Sequence, residues 1–354
     1  MASLNKRIKV LVVDDSVIFR RVLANAVESD IELDLIGTAN DPLQAIEIIE
    51  KQVPDVITLD IEMPHMDGLT FLDKLMKRHP IPVIIVSSKT QGNKEICLDA
   101  FNKGAIDIVH KPEKLKSNEN LFDFYAFVCE KIKGASQANM RQKQKQLVDL
   151  ASIRLITKEI PPIVKTPEII AIGASAGGTT AIEFILRRLP ADMPGIVITQ
   201  HMPAGFTKLF ANRLNDICEL EVKEAEDGDK LYQGRVLIAA GGFHMELTGG
   251  MGNYRVSVTD SEPVNRHKPS VDVLFHSVAR SAKSKATGII LTGMGADGSK
   301  GLLAMKEAGA YTIAQDKNSS IVYGMPYQAF LLNAHNIELS LQKVPDFLID
   351  RFKK

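Results

Sequence analysis

Cysteine is scarce in this chain: 354 residues hold three, Cys97, Cys129 and Cys218, far apart and with no CxxC pair. That spacing excludes a disulfide framework and a zinc ribbon, and it fits a chain kept reduced in the cytoplasm. Charge of one sign is lacking as well. Lys and Arg number 43 against 43 Asp and Glu, which excludes the basic profile of a general nucleic-acid binder. No apolar run approaches the roughly 18 residues of a membrane span. The opening MASLNKRIKVLVVDD has only Val10–Val13 before two acids, too short for the core of a signal peptide. Repeats and low-complexity arrays are absent too. A soluble protein is expected, with no membrane insertion and no nucleic-acid partner.

Apolar residues, by contrast, are plentiful at 45%, with a mean hydropathy of −0.01 and 24% charge, so a packed interior is expected and an acidic disordered chain is excluded. At roughly 100–200 residues per domain, the length implies two domains. Short apolar runs alternate with amphipathic stretches of helix length, the pattern of parallel α/β units. Strands are expected at Lys9–Val13, Leu33–Thr38, Val56–Leu59, Val83–Val86 and Ile106–Val109, with helices such as Val17–Val27 and Asp41–Lys51 between them. They make one five-stranded doubly wound domain over residues 1–130. Residues 131–166 shift to polar Gln/Lys runs and then to Pro161-Pro162 and Thr166-Pro167, which reads as an interdomain linker. A second α/β domain over residues 167–354 has expected strands at Glu168–Ile172, Gly195–Thr199, Arg235–Ala239 and Thr287–Leu291. Charge divides at the linker. Through Glu130 there are 15 basic and 21 acidic residues, net −6, and the remainder is net +6, a complement that favours docking of the two.

In the first domain Asp14 and Asp15 end the first strand and Asp60 ends the third, so three carboxylates converge at one sheet edge. Such a group repels itself unless a cation sits within it, and a hard ion such as Mg2+ suits oxygen ligands. Ser87 after the fourth strand and Lys111 after the fifth add a hydroxyl and an ammonium suited to a phosphoryl group. A lone Asp at a strand end is usually a turn former or a helix cap. Five matched groups on successive strand ends are not so easily dismissed. Residues 6–125 closely resemble the receiver domain of two-component response regulators. That resemblance implies a flavodoxin-like fold and Asp60 as phosphoacceptor from a histidine kinase. It also implies Mg2+ held by Asp15, Asp60 and the Glu62 backbone with Asp14 assisting, and Ser87 and Lys111 as the phosphate-sensing pair.

After the strand Glu168–Ile172 comes Gly173-Ala174-Ser175-Ala176-Gly177-Gly178, then a helical pattern. As a dinucleotide fingerprint it fails, because Ser175 replaces the second glycine and Gln200-His201 stands where an acid is needed. No Gly-Lys-Ser/Thr follows, so it is not a phosphate loop either. Two readings remain: a G-x-S-x-G nucleophile elbow, or glycines packing a helix on a sheet with Ser175 as N-cap. His201 after the next strand and Asp297 in Gly293-Met294-Gly295-Ala296-Asp297-Gly298 supply a base and an orienting acid at the same edge. The order Ser, His, Asp differs from that of α/β-hydrolases, which points to a separate fold. His244, His267 and His276 are competing bases; His276 sits in a helical pattern, and His244 in a glycine-rich loop.

The combination GASAGG, QHMP and TGMGADG, with PSVDVLF at Pro269–Phe275 and the Gly-rich loop after His201, closely resembles the protein-glutamate methylesterases of bacterial chemotaxis over residues 167–350. The resemblance implies a Rossmann-like parallel sheet and an activity on chemoreceptors: hydrolysis of glutamate methyl esters and deamidation of certain glutamines. It implies Ser175 as nucleophile, His201 as base, Asp297 as orienting acid, and the Met294 and Ala176 amides as oxyanion donors, with no cofactor in this domain. Ala176 departs from the Thr that many members carry there. The resemblance further implies a receiver that inhibits at rest and becomes permissive once a chemotaxis sensor kinase phosphorylates Asp60. A response regulator with a DNA-binding output would need a helix-turn-helix or a basic face, which residues 168–354 lack. A catalytically dead receptor-binding adaptor is the other rival, and the intact triad argues against it.

Overall fold

The computed structural model describes residues 6–63, 66–87, 91–112, 118–153, 164, 167–250 and 252–352. It divides into two compact units, Met1–Met140 and Arg141–Lys354.

The first unit alternates strands and helices: β1 (Ile8–Val13), α1 (Val17–Glu28), β2 (Leu33–Ala39), α2 (Pro42–Lys51), β3 (Val56–Leu59), α3 (Gly68–Arg78), β4 (Val83–Ser87), α4 (Gln91–Asn102), β5 (Asp107–His110) and α5 (Asn118–Ser136). The strands pair in parallel in the order β2-β1-β3-β4-β5. Parallel strands are covered on both faces, so they read as unbroken apolar runs, and Val10, Leu11, Val12 and Val13 are fully buried. Helix starts are set by local polar caps. Ser16, Asp41 and Asp67 each accept a hydrogen bond from an amide of the first turn that follows. Chain order reverses between β1 and β3, and a doubly wound sheet opens its crevice at such a switch point. Every anticipated strand of this unit is present, with ends shifted by at most one residue and β3 matching at both ends.

The second unit opens with α6 (Met140–Ala151), whose first residue still belongs to the other unit. It continues through β6 (Ile169–Ala174), α7 (Gly178–Leu186), β7 (Gly195–Gln200), α8 (Phe206–Ile217), β8 (Glu221–Glu224), β9 (Arg235–Ile238), β10 (His244–Gly250), β11 (Asn253–Thr259), α9 (Val271–Ser281), β12 (Ala286–Ile290), α10 (Ser299–Glu307), β13 (Tyr311–Gln315), α11 (Met325–Leu331), β14 (Ile337–Leu339) and α12 (Val344–Phe352). Seven strands pair in parallel as β14-β13-β12-β6-β7-β9-β8, and β10 and β11 form an antiparallel hairpin. The order reverses between β6 and β12, placing the switch point between the strands that lead to Ser175 and Asp297. The core centres on α9, with Phe275 and Val278, α10, with Leu302 and Met305, and the strands packed with them.

The helix α6, drawn from the polar linker stretch, is tied to the second unit. Lys143 Nζ donates to Thr180 Oγ1 at 2.8 Å, Gln146 Nε2 to Ser319 O at 2.8 Å, and Arg187 Nη1 to Leu150 O at 3.0 Å. Lys143 is fully buried, and that burial pushes its ammonium down to about 7, with the Glu183 carboxylate opposing. Pro161, Pro162 and Thr166 of the same stretch lie outside the described residues.

Candidate active site

At the C-terminal edge of the first sheet, Asp14, Asp15 and Asp60 each bring one carboxylate oxygen within 4.8 Å of the others. Asp14 and Asp60 are buried while Asp15 is exposed. Lys111 Nζ lies 2.5 Å from Asp60 Oδ2, a hydrogen bond, and 2.8 Å from Asp14 Oδ2, an ion pair without hydrogen-bond alignment. Asp60 Oδ1 accepts from Ile61 N at 2.7 Å and Glu62 N at 3.4 Å. Burial raises the Asp14 carboxyl to about 6, although the nearby Lys111 charge opposes it. Burial also raises Asp60, against Lys111 and the two amides. For Lys111, burial alone would lower the ammonium, but the two carboxylates outweigh it and hold it above its ordinary value. Ser87 is fully buried at the end of β4, its carbonyl accepting from Lys111 N at 2.9 Å. An all-oxygen set with carboxylates raised by crowding and burial fits a hard divalent cation.

In the second sheet β6 and β7 run in register to the pair Ala174 and Gln200, and His201 N donates to Ala174 O at 3.0 Å. Ser175 and His201 thus leave neighbouring strand ends, each one residue beyond the last pair in register. Ser175 N donates to Thr292 O at 3.1 Å, which joins the serine loop to the loop after β12. A Cβ on Gly293 would lie 2.8 Å from Ser175 Cβ, so glycine is what lets these two loops touch. Gly177 has φ 75°, and a Cβ there would meet Ile321 at 2.7 Å, so a side chain is excluded by conformation and by space. The N-cap of α7 is Gly177, which removes the reading of Ser175 as a helix cap.

His201 Nε2 lies 2.7 Å from Asp297 Oδ2. The other ring nitrogen, Nδ1, is buried without a hydrogen-bond partner among the described residues. Asp297 accepts four further bonds: Val271 N at 2.7 Å, Ser270 Oγ at 2.7 Å, Asn265 Nδ2 at 2.8 Å and Asp272 N at 3.3 Å. Two of those donors are first-turn amides of α9, whose positive end favours a carboxylate. Burial alone would raise Asp297, but its bond to His201 and the other donors hold it well below the usual carboxylate range. The carboxylate is therefore charged, and the imidazole proton on Nε2 is fixed toward it. The amides of Ala176 and Met294 donate to no acceptor among the described residues.

The competing histidines fall into place. His244 accepts from Ser270 N through Nδ1 at 3.2 Å and faces Glu262 O through Nε2 at 3.0 Å, so both of its nitrogens are engaged. His276 is half-buried within α9. His267 stacks on His201 with ring centroids 3.7 Å apart and planes 13° from parallel. Sequence reasoning missed Asn265 and Ser270 as partners of Asp297; the only signal was their place just before and within the PSVDVLF stretch.

A family profile described as CheB methylesterase matches residues 170–348, and one described as response regulator receiver domain matches residues 10–121. A protein-glutamate methylesterase/protein-glutamine glutaminase of Chromohalobacter salexigens is 45% identical over 98% of this chain and 97% of its own. The protein of that name from Salmonella typhimurium is 46% identical over 96% and 95%. The crystal structure of the Thermotoga maritima CheB methylesterase catalytic domain superposes with a TM-score of 0.51 at 40% identity, covering 52% of this chain and 99% of that one. The chain belongs to the protein-glutamate methylesterase/protein-glutamine glutaminase family, with a response-regulator receiver domain ahead of the methylesterase domain.

Proposed function

We propose that this protein is a phosphorylation-activated serine hydrolase of chemotaxis adaptation. It removes methyl groups from glutamate methyl esters on chemoreceptors as methanol, and it converts specific receptor glutamines to glutamate. The reading rests above all on the buried His201–Asp297 pair at 2.7 Å, which leaves the other ring nitrogen unbonded; we assign that nitrogen to Ser175, on the neighbouring strand end.

In this reading Ser175 Oγ attacks the ester carbonyl carbon while His201 Nδ1 takes its proton. Asp297 holds the Nε2 proton and stabilises the imidazolium without accepting that proton itself. The Ala176 and Met294 amides receive the negative charge that develops on the carbonyl oxygen. His201 then protonates the methoxy oxygen, methanol leaves, and a glutamyl ester on Ser175 remains. Water, deprotonated by His201, attacks that ester, and the glutamate carboxylate and free serine are released. A glutamine side chain follows the same path with ammonia as leaving group. No cofactor is invoked in this unit.

In the receiver, a carboxylate oxygen of Asp60 attacks the phosphorus of a phosphohistidine on a sensor kinase; the P–N bond breaks, the kinase histidine leaves, and an acyl phosphate remains on Asp60. Asp14, Asp15, Asp60 and the Glu62 backbone would hold Mg2+, which supplies positive charge to the phosphoryl oxygens. Ser87 and Lys111 take the remaining phosphate oxygens. Phosphorylation raises the esterase rate by biasing a two-state element between resting and permissive forms. The domains divide at residues 1–130, a linker at 131–166 and a catalytic domain at 167–354. The protein works in the cytoplasm on the receptors' cytoplasmic parts, and no described helix is long and apolar enough to cross a membrane. Methanol release by Ser175→Ala tests the reading: a folded variant with near wild-type release would overturn it.

A further inference from the structure

Gln200 ends β7 and is 2% exposed, and its carboxamide does something unusual for a core residue. Its Nε2 donates to Ser175 O at 3.0 Å and to His201 O at 3.2 Å. One amide group therefore grips the backbone carbonyls of both the nucleophile and the base. The sheet ladder between β6 and β7 closes with His201 N donating to Ala174 O, and the carboxamide adds a side-chain rung one residue beyond it. Its other end is unsatisfied: Gln200 Oε1 is buried with no partner among the described residues. An orphaned buried acceptor is destabilising. Space has been kept for it nonetheless, since a Cβ on Gly178 would lie 2.2 Å from that oxygen.

We propose that Gln200 is a positioning residue of the hydrolase: its carboxamide fixes the spacing between the Ser175 and His201 backbones, and so between nucleophile and base. The inference rests on the assignment of Ser175 and His201 made above. A residue kept for stability alone would lower Tm and leave kcat in place when an apolar side chain of its shape replaces it. One kept for geometry would lose rate while the fold gains.

Full-length Gln200→Met separates the two, with Gly178→Ala as a second perturbation, its methyl meeting Gln200 Oε1 at 2.2 Å and Ala174 Cβ at 2.6 Å. Methanol release from methylated receptors is measured as kcat and KM, alongside thermal unfolding, with Ser175→Ala run in parallel. The expected result for Gln200→Met is a Tm at or above wild type, a kcat lower by ~10–100-fold and a KM within about twofold. Gly178→Ala is expected to show the same kcat loss without the gain in Tm. Activity within about twofold of wild type in either folded variant overturns the inference, as does a Gln200→Met loss confined to KM or accompanied by a fall in Tm. If Ser175→Ala itself stays active, the functional assignment falls and the inference with it.

Discussion

Replacing Asp297 with asparagine changes one atom and reverses the proton logic of the site. The carboxylate accepts five hydrogen bonds, two on Oδ2 from His201 Nε2 and Val271 N, and three on Oδ1 from Ser270 Oγ, Asn265 Nδ2 and Asp272 N. An amide keeps one acceptor and presents an NH2 in place of the other. With its carbonyl toward Ser270, Asn265 and Asp272, the NH2 opposes the Val271 amide, donor against donor, and donates to His201 Nε2. The imidazole proton must then move to Nδ1, the nitrogen that serves Ser175, and a protonated Nδ1 cannot act as base. The flipped amide is worse, since its NH2 would meet three donors. The milder orientation leaves one buried amide unsatisfied, about 1–3 kcal/mol of stability. It also removes the correct tautomer, a loss of about 10⁴-fold in kcat. The assay is methanol release at saturating methylated receptor, with thermal unfolding on the same preparation. A folded Asp297→Asn protein with kcat within about tenfold of wild type would refute the tautomer argument, and so would a loss confined to KM.

Four further outcomes are expected. Ser175→Ala should lower kcat by ~10³-fold or more with the unfolding transition unchanged, which kinetics and calorimetry check together. Asp60→Asn should abolish any rise in methanol release on addition of phosphodonor and Mg2+, while leaving the unstimulated rate in place; a surviving response would move the phosphoacceptor elsewhere. Because burial raises Asp14 to about 6, its carboxylate must lose a proton to take a cation, so apparent Mg2+ affinity should fall as pH drops through about 6. Mg2+ titrations at several pH values read this directly. Lys143 titrates near 7 folded against 10.5 ordinarily, so between these values the unfolded chain binds more protons and stability rises with pH. Lys143→Met should flatten that rise and increase Tm at neutral pH, as thermal melts across the window would show.

Most residues that carry the chemistry were visible because they follow the end of a buried strand, where an apolar run stops at a polar residue; Asp297 was visible instead through its glycine-rich loop after β12. Asp60 after Val56–Leu59, Ser175 after β6 and His201 after β7 are all of the first kind, and parallel topology brings such ends together. Edge strands were harder to see. β8 reads EVKE and β14 spans three residues, so neither has the apolar run that marks a central strand. The polar sequence of α6 reads as part of an interdomain linker, yet Lys143 and Gln146 are fully buried and each finds a partner on the second unit. The partners of Asp297 other than His201 come from 25 to 32 residues earlier in the chain, and only the tertiary fold brings them to the carboxylate. Gln200 was seen as part of a motif, but nothing local could show that its amide reaches across to Ser175.

The most direct measurement is methanol released by the full chain from methyl-esterified chemoreceptors, followed with and without a small-molecule phosphodonor and Mg2+. The account predicts methanol in step with the loss of receptor methyl ester, at a rate that rises with the phosphodonor. No methanol under either condition would contradict the esterase assignment, and release indifferent to the phosphodonor would contradict its control by Asp60.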